Sequence, residues 1–424
     1  MAFDGRAVLG ITIFFIVLFL IDFYVFKGVK TIFSTSSFPI KRTAAWAYWS
    51  VNIAFLLCAI YAAFSFTFFA KRTPFIFEFV AGAFVLLYLP KIIFGVFLLG
   101  EDVFRLLRAM GVGIYKMVAT TQAPIELFQS RRKFVSQFAT LVAGVPFLSI
   151  LYGVSKGKYN FKIHKAEVVF KDLPKEFDGF TITQLSDIHS GSFDNPEPVK
   201  HAVKLANDQK SDVIFFTGDL VNNNSDEMDP WVDVFKELKA PMGVYSIFGN
   251  HDYGDYTRWY SVDQKKANFE KLINIHKQLG FRLMRNENLK LERNGATIDL
   301  IGLENWGKGG FSKYGDLNKA LAGTKLDSFK ILLSHDPSHW EEQVMYHPNE
   351  HIHITFAGHT HGMQFGIEVP GIKFSPIQFR YKRWGGLYEE NNRYLYVNRG
   401  LGFLGFPGRV GIWPEITVVT LRCG

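Results

Sequence analysis

Long apolar runs fill the chain up to about residue 155. A helix needs roughly 20 apolar residues to cross a bilayer, and four runs are long enough. The second and the fourth contain no charged residue, and uncharged runs of this length rarely belong to a soluble core. The pattern predicts an all-α transmembrane region of residues 1–157, with spans at 8–26, 44–70, 75–99 and 134–155.

From about residue 158, short apolar runs of strand length alternate with amphipathic helical runs. The helices are predicted at 196–209, 229–239 and 262–279. The strands are more numerous than a simple βαβ repeat supplies, so we expect one α/β domain, residues 158–424, with a two-layered β core flanked by helices. The strands are predicted at 166–170, 180–185, 212–217, 242–248, 297–303, 329–334, 353–356, 394–397 and 416–421.

The formal net charge of +8 indicates orientation in a membrane rather than nucleic-acid binding, because many Lys and Arg residues lie between the apolar runs. The richer basic segments, around Lys41 and Arg131, are expected in the cytoplasm. The N-terminus and the C-terminal domain would then lie outside, on the periplasmic side of a bacterial inner membrane. Cys58 and Cys423 are the only cysteines, and they predict neither a disulfide nor a zinc–thiolate site.

Two features of the membrane half have alternative interpretations. The segment 130–135, Ser-Arg-Arg-Lys-Phe-Val, resembles the twin-arginine export signal of bacteria, although it is internal and could be an ordinary basic flank of the fourth span. Lys91 lies next to Pro90 within the third span. It marks either a functional polar site or a kinked helix whose lysine reaches an interface or a neighbouring helix.

Polar clusters follow several of the predicted strands. In open α/β sheets, ligands bind past the carboxyl ends of strands. Carboxylate, amide and imidazole donors in combination suit Mn²⁺, Fe or Zn²⁺ better than Ca²⁺ or Mg²⁺. Each cluster alone is a weak signal, but together and in this order they predict a centre for two divalent metal ions. The clusters are Asp187-Ile188-His189, Gly218-Asp219, Gly249-Asn250-His251-Asp252, His335 and Gly358-His359-Thr360-His361.

These motifs, in this order, resemble those of the calcineurin-like metallophosphoesterase family over about residues 160–424, and most of all a membrane-anchored bacterial branch with a twin-arginine segment. The resemblance implies a four-layer α/β/β/α sandwich and a two-metal hydrolase. It also implies two ligand sets that share Asp219. One metal would be held by Asp187, His189, Asp219 and His361, and the other by Asp219, Asn250, His335 and His359.

The mechanism that follows is attack on phosphorus by a hydroxide shared between the metals. His251 is expected to protonate the leaving oxygen or stabilise the transition state, and Asp252 to orient its imidazole; the alternative for His251 is a structural role. Arg399 and Arg409 are either phosphate contacts or simple surface or strand-end charges. The apolar segment 401–406 is either core packing or an apolar lip near the site.

The function predicted from the sequence is a membrane-tethered hydrolase of a phosphodiester or pyrophosphate, with lipid-linked substrates included. One alternative is a pyrophosphate hydrolase of the UDP-diacylglucosamine type in lipid A synthesis. An alternative of another class is a non-catalytic membrane sensor or scaffold, which the complete ligand set disfavours. The expected partners are the bilayer and the phosphoester, and no nucleic acid binding is expected.

Overall fold

The computed structural model describes residues 5–68, 74–118 and 129–424. The chain divides into two compact units, Met1–Tyr152 and Gly153–Gly424, close to the predicted boundary after residue 157.

The first unit consists of long helices, and each has an apolar stretch long enough to cross a membrane. The chain is a multi-pass membrane protein, as predicted. The third helix does not end at the predicted residue 99, and Arg105 and Arg108, expected in a loop, lie on it. The predicted end of the second span at residue 70 is outside the described residues. The helices are α1 (Gly5–Ile32), α2 (Phe38–Phe68), α3 (Pro74–Val118) and α4 (Gln129–Ser155).

A buried polar network joins three of these helices. Lys91 of α3 donates to Asp22 of α1 over 2.7 Å and also contacts the side-chain oxygen of Asn52 in α2. The hydroxyl of Tyr88 donates to the other Asp22 oxygen at 2.9 Å. Charged groups inside a membrane need partners of this kind. Of the two interpretations of Lys91, the contact with a neighbouring helix is therefore the one observed.

The arginine pair of the export-like segment lies at the start of α4. Arg132 is 3.1 Å from a carboxylate oxygen of Asp102, and Arg131 is 3.7 Å from Glu101 and lies over the ring of Phe104. These are contacts that a basic helix flank makes with α3, and the export role stays a prediction.

The second unit contains two six-stranded sheets and a separate two-stranded hairpin. The first sheet has the order β1-β14-β2-β3-β4-β5, and the second has the order β12-β13-β9-β8-β7-β6. The strands are β1 (Lys162–Phe170), β2 (Thr181–Leu185), β3 (Val213–Phe216), β4 (Val244–Ser246), β5 (Phe281–Leu283), β6 (Glu287–Arg293), β7 (Ala296–Gly302), β8 (Lys330–Leu333), β9 (Ile354–Ala357), β10 (Ile367–Val369), β11 (Ile372–Phe374), β12 (Gly386–Glu390), β13 (Arg393–Val397) and β14 (Glu415–Cys423).

Helices cover the outer faces of the two sheets. The predicted helix 229–239 is mostly wrong, because only four of its residues are helical, and tight turns follow them. The predicted helices 196–209 and 262–279 are present with slightly earlier ends. The α-helices of this unit are α5 (Pro196–Asn207), α6 (Val232–Phe235), α7 (Val262–Gln278), α8 (Leu317–Leu321) and α9 (Pro337–His339).

Three apolar layers hold the sheets and helices together. Between the sheets, Ile182 and Phe215 of the first pack in one cluster with Ile331 of the second. Leu272 of α7 packs on the outer face of the first sheet, and Leu317 of α8 packs on that of the second. The arrangement is a four-layer α/β/β/α sandwich, which confirms the predicted fold.

Candidate metal centre

The predicted ligands lie just past strand ends in both sheets. Asp187, Asp219 and Asn250 follow the neighbouring parallel strands β2, β3 and β4 of the first sheet. His335 and His359 follow the parallel strands β8 and β9 of the second. Parallel strands present their carboxyl ends at one edge of a sheet, which is why residues more than a hundred positions apart meet here.

The side chains form two groups of potential ligands. Asp187, His189 and His361 bring their ligand atoms within 4.8 Å of one another, and so do Asp219, His335 and His359. Asp219 contacts both groups: its Oδ2 lies 3.6 Å from Nε2 of His189 and 3.1 Å from Nε2 of His335. A single carboxylate between two ligand groups is the arrangement that a metal pair requires.

Several of these ligand atoms are buried and lack a hydrogen-bond partner within the described ranges. They are Nε2 of His189, Nε2 of His361 and Oδ1 of Asn250. Buried polar atoms are normally satisfied, so several buried lone pairs without a hydrogen-bond donor in one centre fit the binding of a cation. The amide nitrogen of Asn250 donates to the hydroxyl of Tyr256 at 3.0 Å, which leaves the amide oxygen as the donor atom for a metal.

The opposite nitrogens of two histidines have partners that fix their tautomers. Nδ1 of His189 lies 3.1 Å from the side-chain oxygen of Asn222, and Nδ1 of His335 lies 2.7 Å from the carbonyl of Thr217. Each Nδ1–H donates to its oxygen, so each Nε2 keeps a lone pair for a metal. The residues present therefore fit a pair of divalent cations.

The ring of His359 is oriented oppositely to those of His189 and His335, because its Nε2 and not its Nδ1 faces supporting groups. These groups belong to Tyr381 and Asp336, which the sequence did not point to. Its Nε2 lies 2.9 Å from the Tyr381 hydroxyl and 3.4 Å from Oδ2 of Asp336. Its Nδ1 lies 3.3 Å from Nε2 of His335. The Nδ1 atom of His359 is thus the one placed to bind a metal together with His335.

The electrostatics of the centre also favour a cation. Burial raises the pKa of the Asp219 carboxyl, but the imidazoles of His335 and His251 outweigh burial and hold this pKa well below its ordinary value. Burial lowers the pKa of the His335 imidazole, but the Asp219 carboxylate outweighs burial and raises this pKa to about 10. Buried carboxylates need nearby positive charge, and a divalent metal ion provides it in place of protonated imidazoles.

The backbone is strained at five predicted ligands. The φ angles lie in the left-handed region that non-glycine residues rarely adopt. Strain of this kind costs about 1–3 kcal/mol per residue and concentrates at functional sites. No sequence pattern reveals it. The angles are 52° for Asp187, 47° for His189, 59° for Asp219, 71° for His359 and 51° for His361.

His251 lies beside the centre, but Asp252 does not orient it. Nδ1 of His251 donates to the carbonyl of Asn222 at 2.6 Å. The Asp252 carboxylate instead accepts backbone N–H groups, including those of Gly249 and Asp219 at 2.8 and 2.9 Å. The prediction that Asp252 orients His251 is wrong, because the Asp252 carboxylate instead holds together the two loops that carry Asp219 and Asn250.

Asn222 is a further residue that the sequence did not reveal. Its side-chain oxygen faces His189, its backbone carbonyl accepts from His251, and its amide donates to Ser192 at 3.0 Å. It connects a predicted ligand with the predicted proton donor. Nothing in the local sequence singles it out, because it follows Asp219 in an ordinary loop.

Arg399 and Arg409 are both fully engaged inside the domain. Arg399 is 2.6 Å from Glu415 and 2.5 Å from Glu368. Arg409 donates to backbone carbonyls of the 399–402 loop, including that of Gly402. Both side chains are buried, so neither is a surface charge, and Nη2 of Arg409 also lies 3.2 Å from Nδ1 of the predicted ligand His361. A phosphate contact by either arginine stays a prediction. Leu401 and Phe403 of the segment 401–406 are also buried in the core.

A third group, formed by Asp172, His351 and His353, has different chemistry. The backbone N–H of Lys330 donates to Nδ1 of His353 at 2.9 Å, so Nε2 carries the ring proton and donates it to Asp172 at 2.7 Å. A metal at Nε2 would need a fully deprotonated ring. This group is a hydrogen-bonded pair with a neighbouring histidine.

Comparison with known proteins matches both units. A family described as "Probable Calcineurin-like phosphoesterase, transmembrane domain" matches residues 6–158, and one described as "Calcineurin-like phosphoesterase" matches residues 180–363.

Relatives come from bacteria and from animals. The uncharacterized metallophosphoesterase YkuE of Bacillus subtilis is 31% identical over 300 residues, which cover 69% of this chain and 98% of YkuE. A transmembrane protein with metallophosphoesterase domain from Bos taurus is 26% identical over 398 residues, covering 91% of this chain and 83% of that protein. YkoQ of Bacillus subtilis, another uncharacterized metallophosphoesterase, is 25% identical, covering 64% of this chain and 94% of YkoQ.

Proposed function

This chain belongs to the calcineurin-like metallophosphoesterase family, and we propose that it is a membrane-tethered phosphoesterase that hydrolyses a phosphodiester or pyrophosphate with two divalent metal ions. The position of Asp219 carries the proposal, because its Oδ2 lies within 3.6 Å of His189 and 3.1 Å of His335, one from each ligand group. A degenerate domain serving only as a sensor or scaffold would have no reason to keep every donor in place.

We assign the metal ligands as two sets that share one carboxylate. The donor atoms suit Mn²⁺, Fe or Zn²⁺. When bound, such ions activate water as a nucleophile and offset charge on the phosphoryl oxygens. The first set is Asp187, His189, Asp219 and His361, and the second is Asp219, Asn250, His335 and His359.

His251 is placed to handle the leaving group. Its Nδ1–H is fixed on the carbonyl of Asn222, so in the imidazolium form the second ring proton is on Nε2, from which it can pass to the departing oxygen and leave the neutral imidazole. Its backbone N–H donates to Oδ1 of Asp219 at 2.8 Å, which holds the imidazole at a set position beside the shared carboxylate. This geometry suits a general acid, whose proton must lie within hydrogen-bond reach of the leaving oxygen.

The substrate class follows from the tether. The membrane helices hold the domain at a bilayer, where lipid-linked phosphodiesters and pyrophosphates are concentrated. We therefore favour such a substrate, on the outer side of a bacterial cytoplasmic membrane. The alternative is a nucleotide-linked lipid precursor of the UDP-diacylglucosamine type, which would require a cytoplasmic domain.

The activity is tested with a panel of esters offered to the purified full chain. The proposal predicts hydrolysis of bis(p-nitrophenyl) phosphate and of a lipid-linked phosphodiester or pyrophosphate. If no ester of the panel is hydrolysed in the presence of Mn²⁺, Fe²⁺ or Zn²⁺, the proposal that the chain is an enzyme is wrong and the sensor or scaffold is favoured.

The orientation predicts which side of the membrane is exposed to protease. Because the basic segments around Lys41 and Arg131 favour the cytoplasm, an impermeant protease added to spheroplasts should digest the region after Lys156. A reporter fused after Gly424 should behave as exported, and one fused in the basic segment near Lys41 serves as the cytoplasmic control. If the domain is protected until the membrane is broken, the nucleotide-linked substrate becomes the better proposal.

A further inference from the structure

The hairpin of β10 and β11 has one apolar face and one charged face, and the apolar face is the exposed one. Cross-strand neighbours in an antiparallel pair share a face, and the register pairs Ile367 with Phe374 and Val369 with Ile372. All four apolar side chains therefore lie on one face. They are 53%, 40%, 52% and 55% exposed in that order, whereas one-faced sheets normally turn their apolar face to the core.

The charged face of the hairpin is the one that holds it to the domain. Glu368 makes two contacts with the buried Arg399, at 2.5 and 2.9 Å. Lys373, directly opposite Glu368, lies over the ring of Trp384 at 5.0 Å and donates to the carbonyl of Gly385. The domain thus fixes the hairpin through its charges and leaves its apolar face outward.

The exposed apolar surface continues beyond the hairpin, and cations accompany it. Phe379 is 83% exposed, and the exposed Arg380 and Lys382 follow it. Neither cation has an ion-pair partner among the residues that the structure describes. Aromatic and basic side chains around an apolar surface are typical of segments that lie in a membrane interface, where they meet acyl chains and anionic headgroups.

This surface is linked to the metal centre. The hydroxyl of Ser375, directly after β11, donates to the carbonyl of Gly362 at 2.7 Å, and Gly362 follows the predicted ligand His361. Met363, the next residue, is also exposed. One hydrogen bond thus joins the segment after the hairpin to the turn that carries the predicted ligand His361.

We propose that the apolar face, Ile367, Val369, Ile372 and Phe374, together with Phe379, docks into the interface of the bilayer to which the chain is tethered. The bilayer is the favoured occupant because helices of the same chain are long and apolar enough to cross it and because Arg380 and Lys382, which make no ion pair within the described ranges, border the surface. Because Ser375 is hydrogen-bonded to Gly362, docking of the hairpin holds the turn that carries His361 near the bilayer surface. The preference for a lipid-borne phosphoester rests on the proposed function, whereas the docking of the apolar face does not.

The test uses the full chain in vesicles of zwitterionic and anionic phospholipid. In a background with Cys58→Ala and Cys423→Ala, the variant Val369→Cys is labelled with an environment-sensitive fluorophore. Val262→Cys, at a position of the same residue type that is 84% exposed, is the matched control. We expect the label at 369 to be quenched by a lipid-borne quencher and protected from iodide, and the label at 262 to behave in the opposite way. Far-UV circular dichroism checks that the labelled variants are folded, whether or not the chain hydrolyses an ester.

Two results would overturn the proposal. Quenching by iodide alone at 369 would place the surface in water. Protection from both quenchers would indicate a protein partner instead of the bilayer.

A second variant tests the consequence for the substrate. In Val369→Ser/Ile372→Ser, we expect the KM for a vesicle-borne phosphoester to rise about tenfold, since apolar contact with the bilayer is lost, while the kinetics with bis(p-nitrophenyl) phosphate stay unchanged. An equal effect on both substrates would contradict an interfacial role. If no ester is hydrolysed by the unmodified chain, the proposed function fails, but the quenching result still decides the docking.

Discussion

Replacing Asp219 with alanine is expected to abolish phosphoesterase activity, with a loss of roughly 10³-fold or more. The carboxylate lies between the two ligand groups, 3.6 Å from His189 and 3.1 Å from His335, so its removal affects both metals at once. The measurement is the rate of bis(p-nitrophenyl) phosphate hydrolysis together with the metal content of the purified full chain, and both should fall.

Asp219→Asn separates charge from shape. The amide keeps the size of the side chain and an acceptor for the N–H of His251, but it has no second anionic oxygen to share between two cations. We expect nearly the same loss of activity. Asp233→Asn, at an exposed carboxylate that pairs with Lys236, is the matched control and should behave as the unmodified chain. Activity of Asp219→Asn near that of the control would refute the shared-ligand assignment.

Replacing His251 with alanine is expected to lower kcat by roughly 10²–10⁴ while the metal content stays near normal. The imidazole is fixed through Nδ1 on Asn222, and its other nitrogen is the proposed proton donor. The backbone N–H that contacts Asp219 survives the substitution. The loss should therefore appear in kcat for esters with poor leaving groups, measured beside the metal content of each sample.

The dependence on the leaving group distinguishes acid catalysis from a structural role. Nitrophenolate departs without a proton, so the defect of His251→Ala should shrink on activated esters and be largest on alkyl esters. His201→Ala, at an exposed histidine of α5, is the control. An equal loss on activated and alkyl esters would assign His251 a structural role, the alternative that the sequence left open.

The fold was predictable where the burial of an element requires a recognisable pattern of apolar residues. Strands such as β3 and β8 lie in the centres of their sheets and are buried on both faces, so they read as short apolar runs. The edge strands β5, β6 and β12 and the hairpin of β10 and β11 were missed. Strands β10 and β11 alternate apolar and charged residues, but like β5 each has only three residues, too few for periodicity to predict a strand.

The candidate site was predictable in its residue types and not in its supporting contacts. The motifs around Asp187, Asp219 and His361 named side chains that the structure brings together. Asn222 and Tyr381 act through hydrogen bonds across the fold, which no local spacing encodes. Asp252 looked like a partner of His251 because the two are adjacent in sequence, yet it accepts backbone N–H groups from two loops.

The central claim is that two divalent metal ions per chain are required for phosphoester hydrolysis. The most direct measurement is a titration of Mn²⁺ into the chelated full chain, with the hydrolysis rate of bis(p-nitrophenyl) phosphate recorded against bound metal. The account predicts no hydrolysis by the metal-free chain and full activity only when two ions are bound. Full activity of the metal-free chain, or full activity with a single bound ion, would contradict it.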